Sequence, residues 1–185
     1  MANRRHAVIT LGRLHSALGT VQNELDRHGL WNDRLYDVDV YLTGCGFAYG
    51  WQMHRSTGHI KIPAISINRI SEFVFGGPRR TLRDLLRHEY AHAIADTHRG
   101  LIRSRQFSDA FGSSHDSCIE AKYCETEHVT HYAATDSSED FAEVFMYFLK
   151  HRGRLPHRFQ TPSIRSKWRF VRQLSAVIGN HQRRW

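Results

Sequence analysis

The segment from Thr81 to Asp96, TLRDLLRHEYAHAIAD, constrains this chain more than any other stretch. Leu82, Leu85, Leu86 and Ile94 recur at helical spacing, and neither Gly nor Pro interrupts residues 81 to 98, so the pattern specifies a buried helix. Thr81, with Asp84 three residues later, supplies the start signal, Asp standing in for the Glu or Gln of a capping box. Within this helix lies His88-Glu89-Tyr90-Ala91-His92. Residues four apart on a helix share a face, so His88 and His92 can offer two imidazole nitrogens to one metal ion, with Glu89 projecting from nearly the same side. A zinc ion held this way lowers the pKa of a bound water, and a neighbouring carboxylate can take the proton as the oxygen attacks a carbonyl carbon. A chain with 14 His among 185 residues can produce the pattern by accident, but the uninterrupted helix around it makes accident the weaker explanation.

A hydrolytic zinc site uses three protein ligands and keeps a fourth position for water, so one more ligand must come from elsewhere. His98, six residues beyond His92, would give a metzincin-type spacing. That arrangement needs a Gly seven residues after the first His to stop the helix, and this chain has Ala95 there, which prolongs it. The other candidate is Glu139, in the run Asp136 to Phe145, DSSEDFAEVF. It falls in the first turn of a second predicted helix with Glu143 four residues on, so one carboxylate can ligate zinc while the other accepts a hydrogen bond from a ligand imidazole. Both would also be at home as surface acids at a helix N-terminus, and the need for a third ligand favours the site.

His88-Glu89-x-x-His92, followed later by Glu139-x-Phe141-Ala142-Glu143-x-Phe145, resembles the gluzincin peptidases, in particular the catalytic domain of anthrax lethal factor and the bacterial zinc-binding metallopeptidases similar to it. The resemblance covers roughly residues 80 to 178. It implies zinc held by His88, His92 and Glu139, with Glu143 as an outer partner of the ligands and Glu89 as general base. It also maps a transition-state donor onto Tyr132, seven residues before Glu139; the adjacent His131 is an alternative for that role. The implied fold is zincin-like α+β, a small mixed or antiparallel sheet packed on the active-site helix, and the implied activity is zinc metallopeptidase, with an endopeptidase expected ahead of an exopeptidase. Residues 99 to 131 do not align, and the N-terminal third matches only in the order of its elements, which leaves substrate preference unassigned.

The rest of the chain reads as one domain over residues 1–185. An N-terminal arm and helix occupy 1–36, with Leu11, Leu14, Leu18, Val21 and Leu25 on one face and an end near Gly29; a sheet occupies 37–75. Strands are expected at 38–42, 47–51 and 59–67, and Pro63 makes the last of these a candidate edge strand able to add an extended peptide. Gly76-Gly77-Pro78 breaks the chain before the active-site helix at 80–98; a short helix follows at 104–111, the glutamate helix at 136–151 and a C-terminal helix at 163–178. His115, Cys118, Cys124, His128 and His131 fall within seventeen residues, but Cys-x₅-Cys is not a usual zinc spacing; a structural zinc, a Cys118–Cys124 disulfide and an ordinary polar loop all remain open.

The formal charge of +8 implies acidic partners, which can be acidic protein segments such as a peptide or protein substrate, nucleic acid or an anionic membrane face. The basic residues, among them Arg4-Arg5, Arg79-Arg80, the stretch from Arg165 to Arg172 and Arg183-Arg184, form no long run, which fits solvated surface. A basic, nucleic-acid-associated zinc protein is the rival reading, the C-terminal helix with Trp168 and Phe170 being the part that would serve it. No apolar run is long enough to span a membrane and Ala7 to Leu11 is too short for a signal-peptide core, so the expected compartment is cytoplasmic, with export by a signal-independent route as an alternative.

Overall fold

Thr10 caps the first helix, α1 (Leu11–Arg27), by accepting from the Arg13 N–H, and Leu14, Ala17, Val21 and Leu25 turn inward as their spacing predicts. The structure, a computed structural model, describes residues 8–46, 50–54, 57–66, 80–182 and 185. After α1 the chain reverses at Gly29, whose φ of 64° suits glycine and where a Cβ would lie 3.0 Å from Gly179 Cα. The turn after α1 therefore packs against Gly179, 150 positions along the chain. A single turn, α2 (Asp33–Tyr36), leads into the sheet.

β1 (Asp39–Gly46), β2 (Gly50–His54) and β3 (Thr57–Ser66) form a mixed sheet in the order β1-β3-β2. β1 and β3 run parallel, from Asp39 opposite His59 to Gly46 opposite Ser66; β2 and β3 run antiparallel, from Gly50 opposite Lys61 to His54 opposite Thr57. This corrects the expected edge strand at 59–67, because β3 is central and β2 is an edge. Pro63 is tolerated because the β2 pairing has already ended at Lys61, so on that flank it has no ladder bond to lose. Phe47 to Tyr49, Gly76-Gly77-Pro78 and the basic pairs at Arg4-Arg5 and Arg183-Arg184 lie outside the described residues, as does Arg79.

The central element is α3 (Leu82–Thr97), packed by α1, α2, β2 and α6 (Ser137–Lys150). Both halves of its capping box form: Asp84 N–H donates to Thr81 Oγ1 at 3.1 Å and Thr81 N–H donates to Asp84 Oδ2 at 3.3 Å. Partners on nearly every side explain why polar residues of α3 are buried with the apolar ones. Arg87 is accommodated by a bidentate pair with Glu24 at 2.7 and 2.8 Å and a third bond to Asp84 at 2.7 Å. Leaving such a cation buried and unpaired costs about 3–5 kcal/mol.

Beyond α3 come α4 (Arg99–Ile102), α5 (Arg105–Phe111), a 3₁₀ turn at Tyr132–Ala134, α6, a second 3₁₀ turn at His157–Phe159 and α7 (Pro162–Gly179). α5, α6 and α7 enclose an aromatic core in which Phe107 stacks on Phe111 at 4.5 Å and Phe170 meets both rings edge-on. The described residues thus form an α+β fold with a three-stranded mixed sheet and seven α-helices.

Candidate metal centre

His88 and His92 sit one turn apart on α3 with their Nε2 atoms 3.2 Å apart. Glu139 reaches them from the first turn of α6. Asp136 fixes that turn by accepting from the Ser138 and Glu139 N–H groups, each at 2.9 Å. Glu139 Oε2 lies 3.0 Å from His88 Nε2 and 3.6 Å from His92 Nε2. A tetrahedral zinc with bonds of about 2.0–2.1 Å separates its ligand atoms by about 3.3 Å, so the three observed separations bracket the requirement. Glu139 Oε2 is also buried, and no N–H points at it in hydrogen-bonding geometry despite the two nearby nitrogens. With both imidazoles neutral at Nε2, three acceptor atoms face one point, which is what a cation needs. Among the described residues, this is the group of His, Cys, Asp and Glu atoms placed to hold a metal.

The surrounding bonds orient these ligands. His88 Nδ1–H donates to Glu143 Oε1 at 2.8 Å, which leaves the Nε2 lone pair turned toward the centre. Glu143 is fully buried, and its other oxygen accepts from Arg80 Nη2 and from Thr130 Oγ1, both at 2.7 Å. Thr130 Oγ1 in turn accepts the Ala133 N–H at 3.2 Å, tying the 3₁₀ turn that carries Tyr132 to the same carboxylate. Burial alone would lower the His88 pKa, but Glu139 and Glu143 overcome it and raise the imidazole to about 9. Burial alone would raise Glu139, and the two imidazoles instead hold it well below the usual carboxylate range. This is a site that demands positive charge, met by a proton on His88 or by a metal ion in its place.

Glu89 is buried beside the pair, and its Oε2 accepts the Trp51 N–H from the β2 edge at 2.8 Å. Trp51 Nε1–H donates to Asp96 Oδ2 at 2.7 Å, so β2 is clamped to α3 at two levels. The Tyr132 ring stands 5.8 Å from the His88 ring, with the Arg80 guanidinium 5.3 Å from its own centroid. Burial, then Glu139, push the Tyr132 hydroxyl up to about 12, which keeps it protonated as a donor.

The structure takes His98 out of the site. The helix runs on to Thr97, and the His98 ring is bonded beyond it, Nδ1 to Thr97 Oγ1 and Ile94 O at 3.0 and 3.3 Å, Nε2 to Asn32 Nδ2 at 3.4 Å. His131 stacks on Tyr123 with ring centroids 3.7 Å apart. Cys118 and Cys124 are free thiols, and the five-residue Cys and His group does not converge: His128 Nδ1 accepts the Cys124 N–H at 3.2 Å, and His115 Nδ1 faces Asp116 at 3.4 Å. Sequence reasoning missed Arg80, Thr130 and Trp51, none of which stands at a motif spacing. No protein-family model, curated protein or solved structure matches this chain.

Proposed function

We propose that the chain is a zinc-dependent metallopeptidase of the gluzincin type, with zincin-like architecture. The observation that carries the reading is the convergence of His88, His92 and Glu139 at separations suited to a tetrahedral ion, with Glu89 alongside. When bound, zinc lowers the pKa of water and polarises a carbonyl. Glu89 takes a proton from the attacking water and delivers it to the leaving amine nitrogen. The Trp51 N–H holds one lone pair of Glu89 and so fixes the carboxylate's direction. Tyr132 keeps its proton and donates a hydrogen bond from its hydroxyl to the oxyanion that develops on the substrate carbonyl. Glu143, braced by Arg80 and Thr130, keeps the His88 ring in register.

The outer edge of β2 supports a substrate path. Trp51 N–H points from it toward Glu89, so an extended peptide lying along this edge brings its backbone to the general base. Metal analysis of the purified chain, followed by cleavage of casein and a peptide library, tests the reading. One zinc per chain and cleavage lost in Glu89→Gln with zinc retained are expected. A metal-free chain that takes up no zinc, or cleavage that survives Glu89→Gln, would sink it.

A further inference from the structure

The positive charge of this chain is segregated. Residues 151–185 contain nine of its 26 Lys and Arg and none of its 18 Asp and Glu, so they carry a formal charge of +9 while the rest carries −1. Lys167 is turned inward, its Nζ 2.5 Å from Asp140 Oδ2 and 2.6 Å from Glu127 O. Six arginines of the described residues remain on the surface here: Arg152, Arg154, Arg158, Arg165, Arg169 and Arg172. None of the six is in an ion pair with a described carboxylate.

The fold gathers five of them. Arg165, Arg169 and Arg172 stand at i, i+4 and i+7 on α7, opposite the buried Ile164, Trp168, Val171, Leu174 and Ile178, so they form a stripe roughly 10 Å long. Arg172 Nη2 donates to Gly153 O at 3.1 Å, which draws the turn bearing Arg152 and Arg154 against that stripe. Arg158 lies across the neighbouring Phe159 and Tyr147 rings at 4.5 and 5.6 Å.

We propose that this face binds the phosphate backbone of nucleic acid without reading its sequence. Guanidinium groups bond phosphate oxygens in pairs, and release of condensed counterions drives such binding without an apolar anchor. Protein and membrane partners call for such an anchor, a buried apolar centre for one and inserting side chains for the other. Within residues 151–185 the large exposed apolar residues of the described chain include Trp185 alone, which packs on Phe170 and is tied by its Nε1–H to Leu101 O. This proposal does not rest on the metal site.

Fluorescence anisotropy of the full chain with a labelled duplex DNA of arbitrary sequence, over a range of salt concentrations, tests it. Binding is expected to weaken with a log–log salt slope between about −3 and −5, at about 0.9 per phosphate neutralised. The triple variant Arg165→Gln, Arg169→Gln, Arg172→Gln should bind at least about tenfold more weakly with a slope shallower by about three, whereas Arg27→Gln, Arg83→Gln, Arg105→Gln, equal in net charge, should bind as the unaltered chain does. Equal losses in the two triples would reduce the effect to net charge and overturn the proposal. So would absence of DNA binding at low salt, or stripe-dependent binding to phosphatidylserine vesicles or polyglutamate in preference to DNA. If the first triple folds poorly by circular dichroism, Arg169→Gln alone should make the slope shallower by about one, and an unchanged slope overturns the proposal equally.

Discussion

Thr130 shows how much of the candidate site rests on side chains that carry no motif. Its hydroxyl donates to Glu143 and accepts from the backbone of the turn bearing Tyr132, so one oxygen positions both a ligand's partner and the proposed oxyanion donor. Thr130→Val removes that oxygen at nearly constant volume. Zinc affinity, read by competition with a chelating dye, should fall, by less than the about 10- to 100-fold expected for losing Glu143, the direct partner of His88. Tyr132→Phe should behave differently, lowering kcat about 10²–10³-fold while zinc content holds. Glu139→Ala should abolish stoichiometric zinc, measured by elemental analysis. Should Glu139→Ala bind zinc as the unaltered chain does, the carboxylate is not a ligand.

At the scale of elements, the site is the crossing of the middle of α3, the start of α6 and one strand edge. α3 is held by its capping box and α6 by Asp136, whose two bonds set the turn from which Glu139 projects. Asp136→Ala should cost about 1 kcal/mol by urea unfolding. α6 is then fastened to α7 by the Asp140–Lys167 pair, both members nearly fully buried. Lys167→Met leaves the carboxylate unpaired and should cost about 3–5 kcal/mol, and adding Asp140→Asn should recover part of the loss. A double variant no more stable than Lys167→Met alone would mean that the lysine acts through its bond to Glu127 O instead.

For the whole molecule, metal and proton binding both feed into stability. His88 and His92 come from one helix and Glu139 from another far along the chain, so an ion shared by them binds the folded state only. Zinc at about a hundred times its Kd should stabilise by about 2.7 kcal/mol, raising Tm by several degrees over the chain in EDTA. His98 titrates with the opposite sense to His88. Burial, then the nearby Arg34, depress His98 to about 4 from an ordinary 6.5. Its contribution is therefore complete above pH 6.5 and lost as pH falls toward 4, because the unfolded chain binds the proton first. In EDTA, the unaltered chain should lose Tm relative to His98→Gln across that window. Parallel curves would show that His98 titrates normally. None of the helices among the described residues is long and apolar enough to cross a membrane.

Local signals decided a good part of this protein. The capping box, the apolar period of α1, α6 and α7 and the four-residue spacing of His88 and His92 are short-range features, and each is encoded where it occurs. The pairing of Glu139 with those histidines is anticipated by a metal's need for a third ligand and by the resemblance to the gluzincin peptidases. Long-range packing decided the rest. β3 became central because β1 pairs with it in parallel on the flank opposite β2, and Pro63 misled because its missing donor falls beyond the β2 pairing. Arg80, Thr130 and Trp51 joined the site through contacts spanning 13 to 63 positions, a separation at which side-chain identity carries no pattern. Periodicity speaks for a residue's own helix or strand; only the closed fold determines which distant polar atom comes to lie against it.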